Sequence, residues 1–166
     1  MIAGVHSRHP GVFILTLLSF VLLIACKPGE RQTNMNALTD FATRYAAAWS
    51  GQDPKAFALF YAEDGSLRVN DGETSVGREA IERTALAYMT AFPDMEVKLV
   101  ELRKEGVYIN FHWRWTGTNT GPGGTGNRVD LLGYEQWTLG GDGLILQSQG
   151  HMDEVEYQRQ LNASRD

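Results

Sequence analysis

Apolar and polar positions alternate along four segments in the second half of the chain. Alternation with a period of two is typical of strands that bury one face. Short glycine-containing turns and one glycine-rich loop, residues 117–127, separate the segments. The pattern therefore predicts four long antiparallel strands. They comprise residues 95–103, 107–116, 128–139 and 144–151.

The first half of the chain shows helical spacing instead. Apolar residues recur every three or four positions over residues 37–49 and 78–91, which predicts two helices. Asp53 and Pro54 predict the start of a second, short helix, because Asp caps a helix and Pro suits its first position. This helix is predicted to carry Phe57, Leu59, Phe60 and Tyr61. A short strand and a helical tail complete the prediction, at residues 66–70 and 154–161. Helices followed by hairpin-linked strands indicate an α+β fold, with a curved antiparallel sheet wrapped around helices as a cone. Such a cone leaves a pocket at its mouth.

Glu135 interrupts the apolar face of the third long strand, which it shares with Leu131 and Trp137. A buried ionised carboxylate costs several kcal/mol unless it is paired, hydrogen-bonded or protonated. In an apolar pocket its pKa would rise by desolvation, which suits a base that moves a proton alpha to a carbonyl. The alternative is a structural carboxylate bonded to Arg78 or to backbone N–H groups.

Aromatic residues provide the candidate walls of this pocket. Trp113, Trp115 and Trp137 fall on the apolar strand faces that would line the pocket together with Glu135. Tyr61 is a candidate for the oxyanion contact. Such tryptophans are also typical of a core. The candidate substrate-binding residues are Trp49, Tyr61, Trp113, Trp115 and Trp137, and His151 is a candidate catalytic residue on the last strand.

Three other polar residues have simpler interpretations. Asp64 and Asp94 adjoin turns, where Asp commonly caps the backbone, and His112 falls on the polar face of its strand. That outer face mixes aromatic, arginine and aliphatic side chains, which suits a homodimer surface as well as a solvated face. Its members are Tyr108, His112, Arg114, Leu132 and Tyr134.

Composition narrows the classes of partner. The 166 residues carry a formal net charge of -5 without a basic cluster, which argues against nucleic-acid binding. Only two of the four His follow residue 25, and they lack ligand spacing, so no metal and no other cofactor is expected.

The first 25 residues have the character of a signal peptide, with a weakly basic start and an apolar run too short for a bilayer span. Residues 23–26, Leu-Ile-Ala-Cys, resemble the bacterial lipoprotein box, and Cys26 is the only cysteine. The resemblance implies lipidation of Cys26. Pro28, Gly29 and several polar residues indicate a tether over residues 26–36. The lack of an internal repeat or a second linker indicates one domain over residues 37–162. The lipoprotein resemblance places the domain in the bacterial cell envelope on the extracytoplasmic side, with the outer membrane or periplasm favoured. An ordinary signal peptide with an incidental Cys is the alternative.

Several short motifs resemble those of the SnoaL-like polyketide cyclase branch of the nuclear-transport-factor-2-like superfamily. Their order and spacing cover roughly residues 40–153. They include Tyr45-Ala-Ala-Ala-Trp49, residues 59–65 (Leu-Phe-Tyr-Ala-Glu-Asp-Gly), 77–81 (Gly-Arg-Glu-Ala-Ile), 92–94 (Phe-Pro-Asp), 115–121 (Trp-Thr-Gly-Thr-Asn-Thr-Gly) and 142–145 (Asp-Gly-Leu-Ile).

The resemblance also implies site residues. In these cyclases a strand acid after the glycine-rich loop acts as general acid/base, and a His in the loop assists it. Glu135 and Asn119 occupy those positions here, so both residue types differ from the family's. The implied function is a cofactor-free cyclase or isomerase acting on a small hydrophobic carbonyl compound. Non-catalytic ligand binding and a scaffold that only dimerises are the alternatives.

Overall fold

The structure is a computed structural model that describes residues 28–164, with side chains from residue 34 onward. The predicted signal peptide, residues 1–25, and the predicted lipidation site Cys26 lie outside these residues. Within the described part, no helix has both the length and the apolar character needed to cross a bilayer.

Four helices and six strands make up the described chain. The helices are α1 (Pro28–Ser50), α2 (Pro54–Ala58), α3 (Arg78–Ala91) and α4 (Glu154–Leu161). The strands are β1 (Tyr61–Val69), β2 (Ser75–Val76), β3 (Glu96–Glu105), β4 (Tyr108–Thr118), β5 (Arg128–Leu139) and β6 (Ile145–Met152).

The strands form one sheet in the order β2-β1-β6-β5-β4-β3, which is not closed and packs against the helices. The α+β prediction is therefore confirmed. The sheet is mixed rather than wholly antiparallel, because β1 pairs with β6 in parallel. Hairpins force the four long strands to alternate in direction, whereas β1 joins the sheet through helices and can take either direction.

The largest differences from the predicted boundaries concern the start of α1 and the junction between α2 and β1. Helix α1 begins at Pro28, inside the segment predicted as a tether. Residues 30–36 contain neither Gly nor Pro, so a helix packed further along can extend through them at little cost. Helix α2 ends at Ala58, and Tyr61 lies at the start of β1, where it pairs with Ile145. Pairing with the neighbouring strand outweighs the local helical spacing.

The core lies between the helices and one face of the sheet. At its centre Tyr45 of α1 packs edge-on against Phe111 and Trp137, whose rings stack on each other with centroids 4.8 Å apart. All three side chains are fully buried. Glu135 shares the strand face of Trp137, so the fold places a carboxylate directly beside this aromatic cluster.

Candidate active site around Glu135

Glu135 lies at the centre of β5, between Phe111 of β4 and Gly150 of β6. Its side chain is buried, with the residue only 6% exposed. The strand register decides this position, because a shift by one residue would turn Glu135 to the opposite face. The alternation of the sequence therefore assigned the correct face to Glu135.

Three hydrogen bonds hold one oxygen of this carboxylate. Oε2 accepts from the hydroxyl of Tyr45 at 2.7 Å, from Ser148 Oγ at 2.6 Å and from Trp137 Nε1 at 3.0 Å. The donors come from α1, β6 and β5 itself, so the carboxylate is fixed relative to three elements. Such hydrogen bonds to a charged group are worth about 1.5–3 kcal/mol each. They supply part of the compensation that a buried carboxylate requires.

Arg78 is not the partner of Glu135. Its Nε donates instead to the backbone carbonyl of Tyr61 at 2.8 Å. The alternative hypothesis from the sequence, a carboxylate bonded to Arg78 or to backbone N–H groups, therefore named the wrong donors. Neutral side-chain donors take that place, so no salt bridge neutralises Glu135 within the described residues.

The hydrogen-bond network extends from Glu135 to a second tyrosine. The hydroxyls of Tyr45 and Tyr61 lie 2.8 Å apart, and both side chains are fully buried. Burial, followed by the nearby charge of Glu135, raises the pKa of both tyrosines well above the ordinary value. Both hydroxyls therefore stay protonated, and Tyr61 reaches Glu135 through Tyr45.

The protonation of Glu135 depends on two opposing effects. Burial raises its pKa, since the charged form loses its hydration. Hydrogen bonds from Ser148, Trp137 and Tyr45 stabilise the anion and lower the pKa by part of that amount. The net result is a pKa above the ordinary value for glutamate. This direction suits a group that takes up and releases a proton nearer neutral pH.

A cavity adjoins the carboxylate on the helix-facing side of the sheet. Its volume is about 60 Å³, and it opens to solvent. By comparison, a buried water needs about 10–15 Å³. The residues lining it are Trp49, Val69, Tyr88, Met95, Val97, Trp113, Trp115, Glu135, Gly150, His151 and Met152.

The two oxygens of Glu135 have different surroundings. All three side-chain hydrogen bonds to this carboxylate within the described chain go to Oε2. Oε1 accepts none of these bonds and is not among the covered polar atoms that lack a partner, so it is the oxygen exposed towards the cavity that Glu135 lines. One oxygen is thus anchored while the other is available to a bound molecule, an arrangement that suits a positioned base.

Three of the five predicted substrate-binding residues line the cavity, namely Trp49, Trp113 and Trp115. Trp137 and Tyr61 lie outside the lining and belong to the hydrogen-bonded core beside it. The Nε1 atoms of Trp113 and Trp115 are buried without an acceptor among the described residues. These two indoles therefore present carbon surface to the cavity.

Gly133 creates the space in which one of these indoles sits. It pairs with Trp113 across β4 and β5. A Cβ at this glycine would lie 2.4 Å from Cζ2 and Cη2 of Trp113 and 2.5 Å from the carbonyl oxygen of His151. Only glycine lets the ring lie this close to the strand, two residues before Glu135.

Tyr88 is a cavity residue that sequence reasoning missed. It lies on α3, and its ring contacts Trp49 and Trp115 edge-on, with centroids 6.0 and 5.9 Å away. Burial, with smaller contributions from Tyr157 and Glu154, raises its pKa to about 12, so the hydroxyl remains a donor at neutral pH. Its spacing of seven residues from buried Ile81 was the available signal.

Asn119 organises the glycine-rich loop. Its Nδ2 donates to the carbonyl of Ala91 at 3.1 Å, and its Oδ1 accepts from the backbone N–H of Thr125 at 2.8 Å. The residue is not part of the cavity lining. Its predicted catalytic role stays a prediction, while the structure shows its amide tying the loop to the end of α3.

His151 borders the cavity, but its ring lies elsewhere. It pairs with Tyr134 across β5 and β6, and the two rings stack with centroids 4.6 Å apart. Tyr134 alternates with Glu135 along β5, so this stack lies on the opposite face of the sheet. His112 lies on the other side of Tyr134, 5.5 Å from its ring centroid.

The remaining acidic candidate with defined contacts is Asp94, which has a local role. Its carboxylate accepts from the backbone N–H and the hydroxyl of Thr118 at 2.6 and 2.7 Å, and these bonds lower its pKa. Asp64 is an exposed residue of β1. Across the described residues, no group of three or more His, Cys, Asp or Glu could hold a metal ion.

Many solved structures have a similar fold, and three of them illustrate the likeness. The TM-score is 0.67 for a candidate SnoaL-like polyketide cyclase from Jannaschia sp. CCS1. It is 0.66 for a protein with a ketosteroid isomerase-like fold from Catenulispora acidiphila, in complex with trimethylamine. Each is 20% identical to this chain. The Jannaschia match covers 85% of this chain and 99% of the other. The Catenulispora match covers 75% of this chain and 93% of the other. A phenazine biosynthesis-related protein from Pseudomonas aeruginosa matches with a TM-score of 0.63 and 16% identity, covering 81% of this chain and 94% of its own. At these identities the likeness shows the fold.

No curated protein matches the sequence. A family model matches most of the domain, residues 42–148, under the description SnoaL-like domain. The match includes Tyr45, Glu135 and Ser148, and so the main contacts of the site. The chain belongs to the SnoaL-like domain family.

Proposed function

We propose that this domain binds a small, largely apolar compound in the cavity beside Glu135 and that Glu135 acts as its general acid/base. The enzymatic form is a cofactor-free cyclase or isomerase that moves a proton alpha to a carbonyl. The observation that carries the proposal is the unequal treatment of the carboxylate: three donors hold Oε2, while Oε1 faces a cavity.

This geometry supports proton transfer in two ways. A base must be held in place, and the donors from three elements restrict the rotation of the Glu135 carboxylate. A base must also have a pKa near the working pH, and burial shifts the pKa of Glu135 in that direction. Tyr88 also lines the cavity, and its protonated hydroxyl donates a hydrogen bond to the carbonyl oxygen of the bound compound.

The test is solvent exchange in small ketones. Purified protein is incubated in D₂O with cyclopentanone or 2-butanone, and loss of the alpha protons is followed by NMR. General base catalysis contributes about 10²–10⁴-fold, so Glu135→Gln should lose that much of the protein-dependent rate. Asp94→Asn removes a carboxylate outside the cavity and should keep the rate. Equal exchange in the wild type and Glu135→Gln would refute the role of this residue.

Ligand binding without chemistry is the second candidate. It is favoured by Asn119, whose amide is engaged within the loop and lies outside the cavity lining, so the implied catalytic partner of the acid is missing there. Binding of the ketones without exchange in any variant would support this candidate. The Glu135→Gln variant should then change stability while exchange stays at the background level.

We also propose that the protein is lipid-anchored in the bacterial cell envelope through Cys26. The support is the box-like sequence at residues 23–26 and the single cysteine. Labelling of cells with a palmitate analogue should mark the wild-type protein and not Cys26→Ser. Equal labelling of both would exclude this anchor.

A homodimer through the outer sheet face is the proposal for self-association. Leu132 is 68% exposed and Tyr108 is 43% exposed on that face, beside the stack of Tyr134 and His151. Leu132→Glu should shift the mass measured by light scattering from dimer to monomer. A wild-type monomer at micromolar concentration would contradict the proposal.

A further inference from the structure

The cavity beside Glu135 has an unusual balance of polar groups. Four aromatic residues line it, namely Trp49, Tyr88, Trp113 and Trp115, together with one carboxylate. Aromatic rings carry negative potential on their faces, and the free carboxylate oxygen adds an acceptor. Most of the remaining lining comes from valine and methionine side chains, which contribute no charge.

The hydrogen-bond donors of the cavity walls do not offset this negative potential. The Nε1 atoms of Trp113 and Trp115 are covered by protein and have no acceptor among the described residues. They are therefore unavailable to a ligand unless the walls move. The indole N–H of Trp49 and the hydroxyl of Tyr88 are the neutral donors that remain on the aromatic walls, and no Lys or Arg of the described chain lines the cavity. The cavity therefore offers more to a cation than to an anion.

The buried carboxylate of Glu135 also lacks a positively charged partner within the described residues. Its hydrogen-bond donors are neutral. A ligand that brings a positive charge to Oε1 would complete an ion pair in a place of low dielectric, where such a pair interacts strongly. The same ligand would have its alkyl groups against indole carbon.

We propose that the cavity binds a small alkylammonium group, whose N–H donates to Oε1 of Glu135 and whose alkyl groups pack against the tryptophans. The volume of about 60 Å³ corresponds to roughly four to six water-sized groups. A trimethylammonium-sized head fits this limit, while a larger remainder would extend through the opening to solvent. The inference uses the cavity and the carboxylate of the proposed function, and it requires no proton transfer to or from carbon.

A pair of ligands with the same skeleton tests the charge directly. N,N-Dimethylethanolamine is cationic at pH 7, and 3-methylbutan-1-ol replaces its nitrogen by carbon. Binding of each to the purified full chain is measured by calorimetry. The amine should bind at least tenfold more tightly. Equal affinities, or tighter binding of the alcohol, would overturn the inference without any variant.

Two further measurements locate the cation. Glu135→Gln should reduce the preference for the amine by tenfold or more, while Glu79→Gln, which removes an exposed carboxylate of α3, should preserve it. In the indole ¹⁵N–¹H spectrum, the amine should shift the signals of Trp49, Trp113 and Trp115 more than that of Trp137, which lies outside the lining. Uniform shifts, or an unchanged preference in Glu135→Gln, would place the cation elsewhere and refute the site.

Failure of this inference can be separated from failure of the proposed function. Ketone exchange that depends on Glu135, without a preference for the amine, would leave the proposed function standing and remove the cationic ligand. A preference for the amine that depends on Glu135, without ketone exchange, would support the cationic ligand and leave a binding role for the domain.

Discussion

The burial of Glu135 predicts an unusual dependence of stability on pH, which Glu135→Gln can reveal. Glutamine keeps an oxygen that can accept from Tyr45, Ser148 and Trp137, but it has no charge to desolvate. The wild type and the variant share every other titrating group. The difference between their free energies of unfolding therefore isolates the titration of one carboxyl group.

The sign follows from the raised pKa of Glu135 in the folded protein. In the unfolded chain this carboxyl loses its proton near pH 4.3, as an ordinary glutamate does. Between that pH and the higher folded pKa, the folded state holds a proton that the unfolded state has lost. Stability therefore falls as pH rises through this interval. Below the interval and above it, the difference between wild type and variant stays constant.

The magnitude is set by one proton. Within the interval, the wild type should lose about 1.4 kcal/mol per pH unit relative to Glu135→Gln. The length of the interval in pH units equals the rise in the pKa of Glu135. That rise comes from burial, since the residue is only 6% exposed, and the three donors to Oε2 reduce it. The total loss therefore measures how far burial outweighs those hydrogen bonds.

Urea unfolding followed by tryptophan fluorescence, at half-unit steps from pH 3.5 to 8, supplies the measurement. Glu156→Gln serves as a control of opposite sign, because Arg159 and Gln160 lower the pKa of Glu156 to about 2. Its contribution should be lost as pH falls, and it should be small because the pair is exposed. A pH-independent difference for Glu135→Gln, or a gain in wild-type stability with rising pH, would refute the argument from desolvation.

Two further substitutions test the supports of the site by urea unfolding at pH 7. Gly133→Ala places a methyl group 2.4 Å from the indole ring of Trp113 and 2.5 Å from a backbone oxygen, so it should lower the free energy of unfolding by about 1–3 kcal/mol. The control Gly141→Ala meets nothing within 4 Å and should lower it much less. Equal costs would show that the strand adjusts. Tyr45→Phe removes a donor to the Glu135 carboxylate and should cost about 1.5–3 kcal/mol. Tyr61→Phe should cost less, roughly 0.5–1.5 kcal/mol, because the hydroxyl of Tyr61 bonds to the neutral hydroxyl of Tyr45. A larger loss in Tyr61→Phe would reverse this order of importance.

Much of the fold follows from periodicity alone. The predicted bounds of α3, β5 and α4 agree with the structure, because strong helical or alternating patterns there end at clear stop signals. The second helix was predicted too long, since residues 57–61 carry apolar spacing that fits a helix as well as a strand. The parallel pairing of β1 with β6 joins residues far apart in sequence, and no local pattern encodes it.

The site was predictable in part. Alternation places Glu135 on the apolar face, and three of the tryptophans proposed from strand and helix patterns line the cavity beside it. His151 shows the limit of this argument. Its position in the sequence does not reveal that its ring stacks on Tyr134 of the neighbouring strand. The sequence did not single out Tyr88, because its place in the cavity wall depends on how α3 packs against β4.

The sequence by itself determined that an acid occupies the apolar face of a long strand, since a period of two assigns every side chain to one face once the strand is recognised. It could not determine the cost or the use of that acid. Those depend on donors from α1 and β6, distant in sequence, which meet at Oε2 only after folding. The tertiary structure thus decided that Glu135 is anchored through one oxygen and faces a cavity with the other, because hydrogen bonding and burial act through distances in space.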